Sequence, residues 1–502
     1  MNETLKQLSF GSLARITYFV ASALIGLFMM PFIIKALGNQ MFGLWEIIGS
    51  IIGFYGLFDI GISSAVMRFV SRDVQLGDKQ KQNEYINTAF FAFIIIALVL
   101  IIASLSVCAF GSIFIKNSKD LFVFRWVVFI LGVGFSFSFP MRVFTGVLNS
   151  NHRYDLSSFV DLCGVLLKPV LIIPLLEVGY GIIALSIITV SISVGTYIVK
   201  YFFAKRIFRG LRISSKYFKI EKAKEILKYS LVSFVIEISK VMKFKVDNFV
   251  IAMVLGLSEI TIYVIAARLL SYFMDFMWIA LTGMLQTVFS RFEATANVDL
   301  IQKRYYEIMR IQAYISAIVG GGMLIFGKHF ILRWMGDEYI NSVRILMILT
   351  PAFIIIYFAG PIYGLLMGTS KHKFFAVAQM GEAMFNLFLS VLLVQYYGLV
   401  GIAIGTAVPA LLFNALILPI YVCKILKVNY LKFVFVFFRL IFKASMVLFF
   451  FWYFVAPHVE SNYCNIAILF ILEVVFFGVF IFFLELNYKE KINLIKTIKR
   501  HI

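Results

Sequence analysis

The chain has 502 residues, of which 62% are hydrophobic and 14% are charged, and its mean hydropathy is +0.94. Soluble globular proteins carry about 45–50% apolar and about 25% charged residues, so this composition excludes a soluble enzyme, a disordered chain and a disulfide scaffold. The chain also carries 46 Lys and Arg against 26 Asp and Glu, a net charge of +20. In a nucleic-acid binder such an excess would contact phosphates, so the positions of the basic residues decide what it means here.

Apolar runs of membrane-spanning length recur from one end of the chain to the other. A helix needs about 20 residues to cross a hydrocarbon core of about 30 Å. Fourteen such runs lie near 15–37, 41–66, 85–110, 122–148, 157–177, 179–204, 226–255, 259–286, 308–334, 341–367, 373–396, 398–420, 432–456 and 463–486. A membrane β-barrel is excluded because its strands alternate over about ten residues, unlike the unbroken run Ile94–Leu105. The sequence therefore predicts an all-α, polytopic membrane protein with about fourteen transmembrane helices.

Basic residues are distributed unequally between the two sides of the predicted spans. With the N-terminus in the cytoplasm, the inner segments hold 31 Lys and Arg, the outer loops 7 and the spans 8. Cytoplasmic loops are enriched in Lys and Arg, and Trp prefers the membrane interfaces. Trp45, Trp126, Trp334 and Trp452 all fall toward the outer ends of their predicted spans. We therefore expect both termini in the cytoplasm, and we attribute most of the net charge to membrane topology and not to a nucleic-acid partner.

Residue types that carry enzymatic chemistry are few and scattered. The four cysteines include no CxxC pair, and the five histidines do not cluster, so we expect no metal and no redox site. Gly322–His329 nearly matches the phosphate loop of ATPases, but it ends in His where Ser or Thr should bind magnesium. The first apolar run is too long for a cleavable signal peptide. We therefore expect a protein that is not an enzyme and has no cofactor.

The second half of the chain repeats features of the first half at a nearly constant offset. Leu37 and Leu255, each followed by Gly, are 218 residues apart, and His152 and His372 are 220 apart. These matches predict two pseudo-symmetric six-helix lobes in a parallel repeat, because an even number of helices gives both halves the same orientation. The predicted organisation is an N-lobe at 1–204, a basic cytoplasmic linker at 205–225, a C-lobe at 226–424, and two further helices with a basic cytoplasmic tail at 425–502.

Ionisable side chains recur inside the predicted spans, where they are costly and usually face a partner or an aqueous cavity. Those on the seventh span, and those on the eighth, share one helical face at 100° per residue. The group comprises Asp59, Asp161, Lys168, Glu237, Lys240, Lys243, Asp247, Arg268, Asp275, Glu382 and Glu473. The alternative is that such groups only form internal ion pairs that fix helix packing, and the spacing of Glu237 with Lys240 suits a pair. Glu473, in the last span, has no predicted partner.

Short motifs along the chain resemble one family of membrane exporters. They are Leu37-Gly38-Asn-Gln-Met-Phe42-Gly43-Leu44-Trp45, Phe58-Asp59-Ile60-Gly61-Ile62, Arg68-Phe69-Val70-Ser71-Arg72, Val246-Asp247-Asn248-Phe249 with Leu255-Gly256, and Gly360-Pro361 with Gly368 and Lys371-His372-Lys373. Together they resemble the polysaccharide-transporter branch of the multidrug/oligosaccharidyl-lipid/polysaccharide (MOP) exporter superfamily. The closest likeness is to the Wzx-type flippases of O-antigen or capsule repeat units, and it extends over essentially the whole chain.

This resemblance implies a flippase in the bacterial cytoplasmic (inner) membrane, with a cationic central cavity between two lobes. The implied substrate is an undecaprenyl-pyrophosphate-linked oligosaccharide, translocated by alternating access. Candidates for binding the pyrophosphate, because Arg and Lys pair with phosphate oxygens, are Arg15, Lys240, Lys243 and Arg268. Candidates for H⁺ or Na⁺ coupling, or for setting the charge of the cavity, are Asp59, Glu237, Asp247, Asp275 and Glu382. Membrane lipids are expected partners, and a polysaccharide polymerase and a chain-length regulator are candidate partners.

Two other functions are compatible with a polytopic, basic chain. A multidrug or cation antiporter of the same superfamily would favour an acidic, aromatic pocket and usually has twelve helices, so the lysines and the extra pair of spans count against it. A polysaccharide polymerase or ligase generally carries one large outer loop for catalysis, whereas the longest outer loops predicted here have about a dozen residues. The flippase is therefore the preferred hypothesis.

Overall fold

The computed structural model describes residues 3–59, 61–113, 115, 117–293, 297–369 and 371–485. Every regular element in these ranges is helical, which confirms the predicted all-α class. The basic tail predicted at the end of the chain falls within 486–502 and lies outside the described residues.

The helices follow one another with short connections. They are α1 Glu3–Tyr55, α2 Ile62–Gln75, α3 Lys79–Ala109, α4 Ser118–Ser150, α5 Tyr154–Glu177, α6 Gly181–Ile207, α7 Ile220–Val254, α8 Leu257–Met277, α9 Gly283–Glu293, α10 Val298–Met335, α11 Ile340–Phe358, α12 Ile362–Gly368, α13 His372–Tyr397, α14 Leu399–Leu411, α15 Leu418–Leu426, α16 Tyr430–Val455 and α17 Tyr463–Phe480. Short 3₁₀ turns lie at Gly56–Asp59, Gly111–Ile113, Ser215–Tyr217, Asp337–Tyr339 and Ala456–His458. Wider π-helical segments lie at Trp278–Thr282, Leu412–Ile417 and Ile481–Glu485.

Within the described residues, twelve helical stretches are long and apolar enough to cross a membrane. The protein is thus a multi-span membrane protein, while the count of fourteen spans stays a prediction. The stretch Ala14–Gln75 contains the first two predicted spans, which meet at Gly38. The backbone leaves the helical region there, with φ 76° and ψ 162°, a conformation that glycine adopts without steric cost. The other difference is α7, which covers the seventh predicted span but falls outside the twelve because of its many Lys and Glu residues.

Contacts divide the chain into two compact units, Met1–Thr261 and Ile262–Ile502. In the first unit, α4 packs against α3 and α6, and α1 packs against α5. A side chain at Gly134 of α4 would clash with Val190 of α6, so glycine is what permits this close approach. Helix α7 contacts α1, α2 and α3 and therefore belongs to the first unit. The contact boundary thus falls one helix later than the boundary between the predicted lobes.

Two asparagines of α3 bind the linker that precedes α7. The Asn83 side chain donates to the carbonyl of Gly210 (2.9 Å) and accepts from the amide of Arg212 (2.9 Å). One helical turn later, the Asn87 side chain donates to the carbonyl of Arg212 (2.7 Å) and accepts from the amide of Ser214 (2.8 Å). Each carboxamide therefore bonds one carbonyl and one amide of the linker backbone, as a neighbouring β-strand would. These four hydrogen bonds hold the linker along α3.

A second set of contacts holds the start of α7 to α3. The Tyr85 hydroxyl donates to the Glu225 carboxylate, and the Lys222 ammonium lies 3.0 Å from a Glu225 oxygen and 3.2 Å from the Tyr85 oxygen. The hydrogen bond from Tyr85 is the main reason why the pKa of Glu225 lies below its usual value. The linker is therefore anchored in the first unit at both of its ends.

In the second unit, α10 is the central helix. It packs against α11 on one side and contacts α16 and α17 as well. Two further helix pairs, α13 with α14 and α9 with α12, complete the unit. Buried aromatic side chains fill its interior, among them Phe289, Tyr305 and Phe433.

Candidate functional site

A polar cavity of about 420 Å³ lies inside the first unit, between α1, α2, α4, α5 and α6. Its charged lining residues are Arg142, Asp161 and Lys200. Its uncharged polar lining residues are Tyr18, Ser63, Ser64, Thr145, Asn149 and Tyr197. Ligand sites in proteins usually enclose about 300–1,000 Å³ and combine a few polar groups with aromatic side chains, so both the size and the lining suit a binding site.

A smaller cavity of about 190 Å³ adjoins the first one. The two share Tyr18, Asp161 and Tyr197, and the smaller cavity adds Lys168 of α5 and hydroxyl groups of α6. Asp161 and Lys168 are two turns apart on one helix face, as the sequence predicted. The two spaces therefore form one polar region along α5 and α6, which we call the inner cavity.

The inner cavity contains a buried ion pair between α5 and α6. The Lys200 ammonium lies 2.7 Å and 2.8 Å from the two carboxylate oxygens of Asp161, and it stands 5.5 Å from the Tyr197 ring centre. Lys200 is only 4% exposed, whereas the Asp161 side chain is 35% exposed. Lysine is almost never this buried without a partner. The carboxylate thus satisfies the lysine and keeps one side open toward the cavity.

A second charged pair joins α4 to the turn before α2. The Arg142 guanidinium lies 3.6 Å from an Asp59 oxygen and stacks over the Phe139 ring at 4.1 Å. Asp59 also accepts from the Ser63 amide (2.9 Å) and the Ser63 hydroxyl (2.6 Å). These two hydrogen bonds fix the carboxylate, which in turn orients the arginine. Asp59, a predicted cavity-charge residue, is therefore in contact with a residue that lines the inner cavity.

Three buried polar atoms of α4 have no hydrogen-bond partner among the described residues. They are Arg142 Nε, Thr145 Oγ1 and Asn149 Oδ1. Their spacing of three and four residues puts them on one helix face, and all three residues line the inner cavity. Buried polar atoms in proteins normally bond to protein or water. This face of α4 therefore offers one charged donor, one hydroxyl and one carbonyl acceptor to a polar occupant.

Arg15, a predicted pyrophosphate-binding residue, belongs to α1 and contacts Tyr154 at the start of α5. Its guanidinium is 4.0 Å from the centre of the Tyr154 ring, and the side chain is exposed. It does not appear among the described residues that line the inner cavity. The contact is a cation–π interaction, which leaves the edge donors of the guanidinium directed away from the ring.

The predicted stripe on α7 divides into an exposed part and a buried part. Glu237 and Lys240 form an ion pair at 2.8 Å, as their spacing predicted, and both side chains are about half exposed. Lys243 and Asp247 are buried. Next to them the Asn248 side chain donates to the Ser50 hydroxyl of α1 at 2.9 Å. The C-terminal part of α7 is therefore packed against α1 within the first unit.

The second unit holds the remaining predicted residues. Arg268 is partly buried on α8, and Asp275 is exposed two turns later on the same helix. Glu382 of α13 is only 1% exposed and accepts from the carboxamides of Gln379 (3.0 Å) and Asn414 (2.8 Å). One turn after Glu382, Asn386 donates to the Thr406 hydroxyl of α14 (3.1 Å). Glu382 thus belongs to a buried polar cluster between α13 and α14, separate from the α8 pair.

None of the nine predicted site residues is among the described residues that line the inner cavity, and the lining includes four polar residues that the prediction missed: Arg142, Thr145, Asn149 and Lys200. A usable signal existed for three of them, because Arg142, Thr145 and Asn149 follow helical spacing on the fourth predicted span. Lys200 lies close to the cytoplasmic end of its predicted span, 179–204, and its charge therefore counts toward the membrane topology and not toward a site. Among the described residues, no group of three or more His, Cys, Asp or Glu could hold a metal ion.

Comparison with known proteins places the chain in a family. The sequence model of a family described as "Polysaccharide biosynthesis protein" matches residues 14–344, well over half of the chain. The chain is 22% identical over 423 residues to "Uncharacterized membrane protein EpsK" of Bacillus subtilis (strain 168), covering 82% of each chain. It is 20% identical over 410 residues to "Putative O-antigen transporter" of Shigella flexneri, covering 79% of this chain and 93% of that protein.

Two solved structures share the fold. The lipid II flippase MurJ, in an inward closed conformation, superposes with a TM-score of 0.73 at 14% identity, over 94% of this chain and 97% of MurJ. A multidrug resistance MATE family transporter of the MOP superfamily, in an inward-facing conformation, gives a TM-score of 0.69 at 15% identity, over 85% of this chain and 99% of that one. The chain is therefore a multi-span membrane protein of the polysaccharide biosynthesis protein family, with the fold of MOP superfamily transporters.

Proposed function

We propose that the protein is a flippase for undecaprenyl-pyrophosphate-linked oligosaccharide repeat units of O-antigen or capsule. It translocates them across the bacterial cytoplasmic membrane by alternating access and performs no covalent chemistry. Membership of the polysaccharide biosynthesis family and the similarity to a putative O-antigen transporter support this substrate class. The MurJ-like fold supports a transporter that needs no catalytic domain.

The observation that carries the proposal is the inner cavity of the first unit. A glycan attached to a diphosphate presents hydroxyl groups beside fixed negative charge, so its binding site needs cations, hydrogen-bonding side chains and aromatic rings. The cavity supplies Arg142 and Lys200, the unpartnered atoms of Thr145 and Asn149, and the ring of Tyr197. A substrate phosphate would compete with Asp59 and Asp161 for the two cations. When the substrate leaves, each carboxylate pairs with its cation again. Release therefore leaves no unpaired buried charge behind.

The cations predicted for the pyrophosphate remain part of the proposal. Arg15 is favoured by its exposure and by the free edge of its guanidinium beside Tyr154. Lys240 and Lys243 on α7 and Arg268 on α8 are assigned to later steps of the translocation path. In each case the group would pair with phosphate oxygens, and the bond is stronger where water is excluded.

Coupling to H⁺ or Na⁺ is assigned to the acidic residues of the two units. Glu382 is the best supported, because its carboxylate is buried and hydrogen-bonded to two carboxamides. These neutral partners suit either a proton or a sodium ion as the coupling ion. Asp59, Glu237, Asp247 and Asp275 are assigned to balancing the charge of the cations around them. Glu237 does so through its ion pair with Lys240.

The proposed location is the bacterial inner membrane, with both termini in the cytoplasm. The distribution of Lys and Arg among the loops supports this orientation. Membrane lipids are the immediate surroundings, and a polysaccharide polymerase and a chain-length regulator are proposed as partners, because the flipped repeat unit has to be consumed on the outer side.

The inner cavity is tested by Arg142→Ala in a cell whose surface polysaccharide depends on this gene. The substitution removes a phosphate-pairing donor, so we expect surface polysaccharide to fall at least about tenfold, the equivalent of about 1.4 kcal/mol of lost binding. Lipid-linked repeat units should accumulate at the same time. Both are measured by immunoblot of the surface glycan and by mass spectrometry of extracted lipids.

Lys119→Ala is the matched control, because Lys119 is an exposed cation outside every cavity described. The control should display wild-type amounts of polysaccharide at equal protein levels. Unchanged display in the Arg142 variant would remove the inner cavity from the proposed path.

A further inference from the structure

The last described helix carries a carboxyl group in an unusual place. Glu473 of α17 has no solvent exposure (0%), and neither of its carboxyl oxygens has a hydrogen-bond partner among the described residues. A carboxylate that is buried without a counter-charge or a donor is among the costliest arrangements in a protein. The side chain therefore calls for a specific explanation.

The carboxyl group lies against a run of glycines in α10. A Cβ built at Gly321 would stand 3.0 Å from one carboxyl oxygen, and a Cβ built at Gly322 would stand 3.2 Å from the other. Leu448 of α16 and Phe470 of α17 close over the same two glycines. A side chain at Gly321 would overlap Leu448 at 2.2 Å, one at Gly322 would overlap Phe470 at 2.7 Å, and both would press on the Glu473 carboxyl. The two glycines therefore form a notch that accommodates this carboxyl group.

The described charged groups of α16 and α10 lie away from the Glu473 carboxyl. On α16, Lys443 is bonded to Glu485, which follows α17, and Arg439 lies one turn further from Leu448. On α10, Lys328 is six residues beyond Gly322, about 9 Å along the helix axis. The residues that pack around this junction are apolar, among them Phe326, Phe451 and Leu469. Within the part of the chain that the structure describes, the surroundings of Glu473 therefore supply hydrocarbon and helix backbone and no cation.

We propose that Glu473 is a proton-binding site: its carboxyl group holds a proton while α17 is packed against α10, and this proton makes the docking of α16 and α17 possible. The proton comes from water when the helices separate, and the carboxylate becomes neutral before it enters the glycine notch. Glu485, twelve residues later, is the contrasting case, because its carboxyl group has a cationic partner in Lys443. The proposal is independent of the substrate that the protein transports.

Infrared spectroscopy of the protein in lipid tests the protonation state directly. The difference spectrum between wild type and Glu473→Gln should show the carbonyl stretch of a protonated carboxylic acid, above the amide I band. The difference spectrum between wild type and Glu485→Gln should instead show carboxylate bands. Carboxylate bands in the Glu473→Gln difference would overturn the proposal.

Thermal unfolding in detergent tests the docking role. Between about pH 7 and about pH 10, the melting temperature of the wild type should fall more than that of Glu473→Gln. The reason is that the folded wild type holds a proton on Glu473 that the unfolded chain releases, so rising pH favours unfolding of the wild type alone. Parallel curves would contradict the role of the proton in docking.

If Glu473→Gln does not fold, the wild type alone still decides the matter. Hydrophobic carbodiimides react with protonated carboxylic acids in membranes, and peptide mapping locates the adduct. We expect several-fold more adduct on Glu473 than on Glu485, and an excess on Glu485 would overturn the proposal.

Discussion

At the scale of single residues, the inner cavity depends on charges whose partners come from neighbouring helices. Lys200 is held by Asp161, and Arg142 is held by Asp59, which is itself fixed by Ser63. In each pair the carboxylate supplies the counter-charge of the cation, and under the proposed function a substrate phosphate would compete with it for that cation. Because a buried, unpaired ammonium is costly, loss of the Asp161 partner of Lys200 should destabilise the fold.

The Lys200–Asp161 pair should therefore behave as a coupled unit. Asp161→Asn leaves the buried ammonium without its counter-charge and should destabilise the protein by about 2 kcal/mol, less than a fully buried pair would lose, because Asp161 is partly exposed. Lys200→Met should cost less, since Asp161 can be hydrated. The double variant should be more stable than the sum of the two losses predicts, as measured by thermal unfolding in detergent. Additive losses would show that the two side chains do not stabilise each other.

The sequence predicted some of these residues and not others, for a physical reason. The pair of Glu237 with Lys240 follows from spacing within one helix, and it forms as predicted. The partner of Lys200 lies 39 residues away on another helix, and such a pairing depends on how α5 and α6 are rotated against each other. In a chain whose helices are apolar on nearly every face, hydropathy does not reveal that rotation. For the same reason, the sequence did not identify Arg142 as a residue of the cavity.

At the scale of elements, the linker before α7 is an ordered part of the first unit. Its backbone is hydrogen-bonded to the side chains of Asn83 and Asn87, and α7 begins beside Tyr85 of the same helix. Since α3 holds both the linker and the start of α7, these segments are part of the first unit. A basic linker of this composition could have been expected to be fully solvated, and only the two asparagines at helical spacing indicate otherwise.

Removing the asparagine contacts should release the linker. In Asn83→Ala together with Asn87→Ala, the four backbone hydrogen bonds are lost, so trypsin should cut at Arg209 and Arg212 several-fold faster than in the wild type. Limited proteolysis with mass spectrometry measures this. Gln80→Ala is the control, because Gln80 is exposed and its side chain donates to Glu84 one turn away on the same helix. Equal cleavage of all three proteins would contradict the binding of the linker by α3.

Helix positions were predictable from apolar length, and the internal geometry of the helices was not. The eighth and twelfth predicted spans, 259–286 and 398–420, both contain π-helical segments, at Trp278–Thr282 and Leu412–Ile417. Such segments arise from packing with neighbours, and a hydropathy profile averages over them. The break at Gly38 falls between the first two predicted spans because a single glycine with positive φ suffices to end one helix and begin the next.

At the scale of the whole molecule, the apolar composition and the net positive charge of the chain have separate explanations. The apolar composition corresponds to the membrane-spanning helices, twelve of them recognisable by length and hydropathy in the described chain. Most of the Lys and Arg residues behind the net charge of +20 are predicted to lie in cytoplasmic loops, a distribution that orients polytopic chains in a membrane. Among the described residues, three cations line the inner cavity: Arg142, Lys168 and Lys200.

The central claim is tested most directly with the purified protein in lipid vesicles that contain a fluorescent undecaprenyl-pyrophosphate-linked oligosaccharide. A membrane-impermeant reductant added outside quenches only the outer leaflet, so vesicles without protein keep about half of the fluorescence. We predict that the wild type lowers this residual fluorescence, that Lys119→Ala does the same, and that Arg142→Ala does so at least about tenfold more slowly. The proposal would be contradicted if wild-type vesicles kept as much fluorescence as protein-free vesicles while the same protein transported a lipophilic cation.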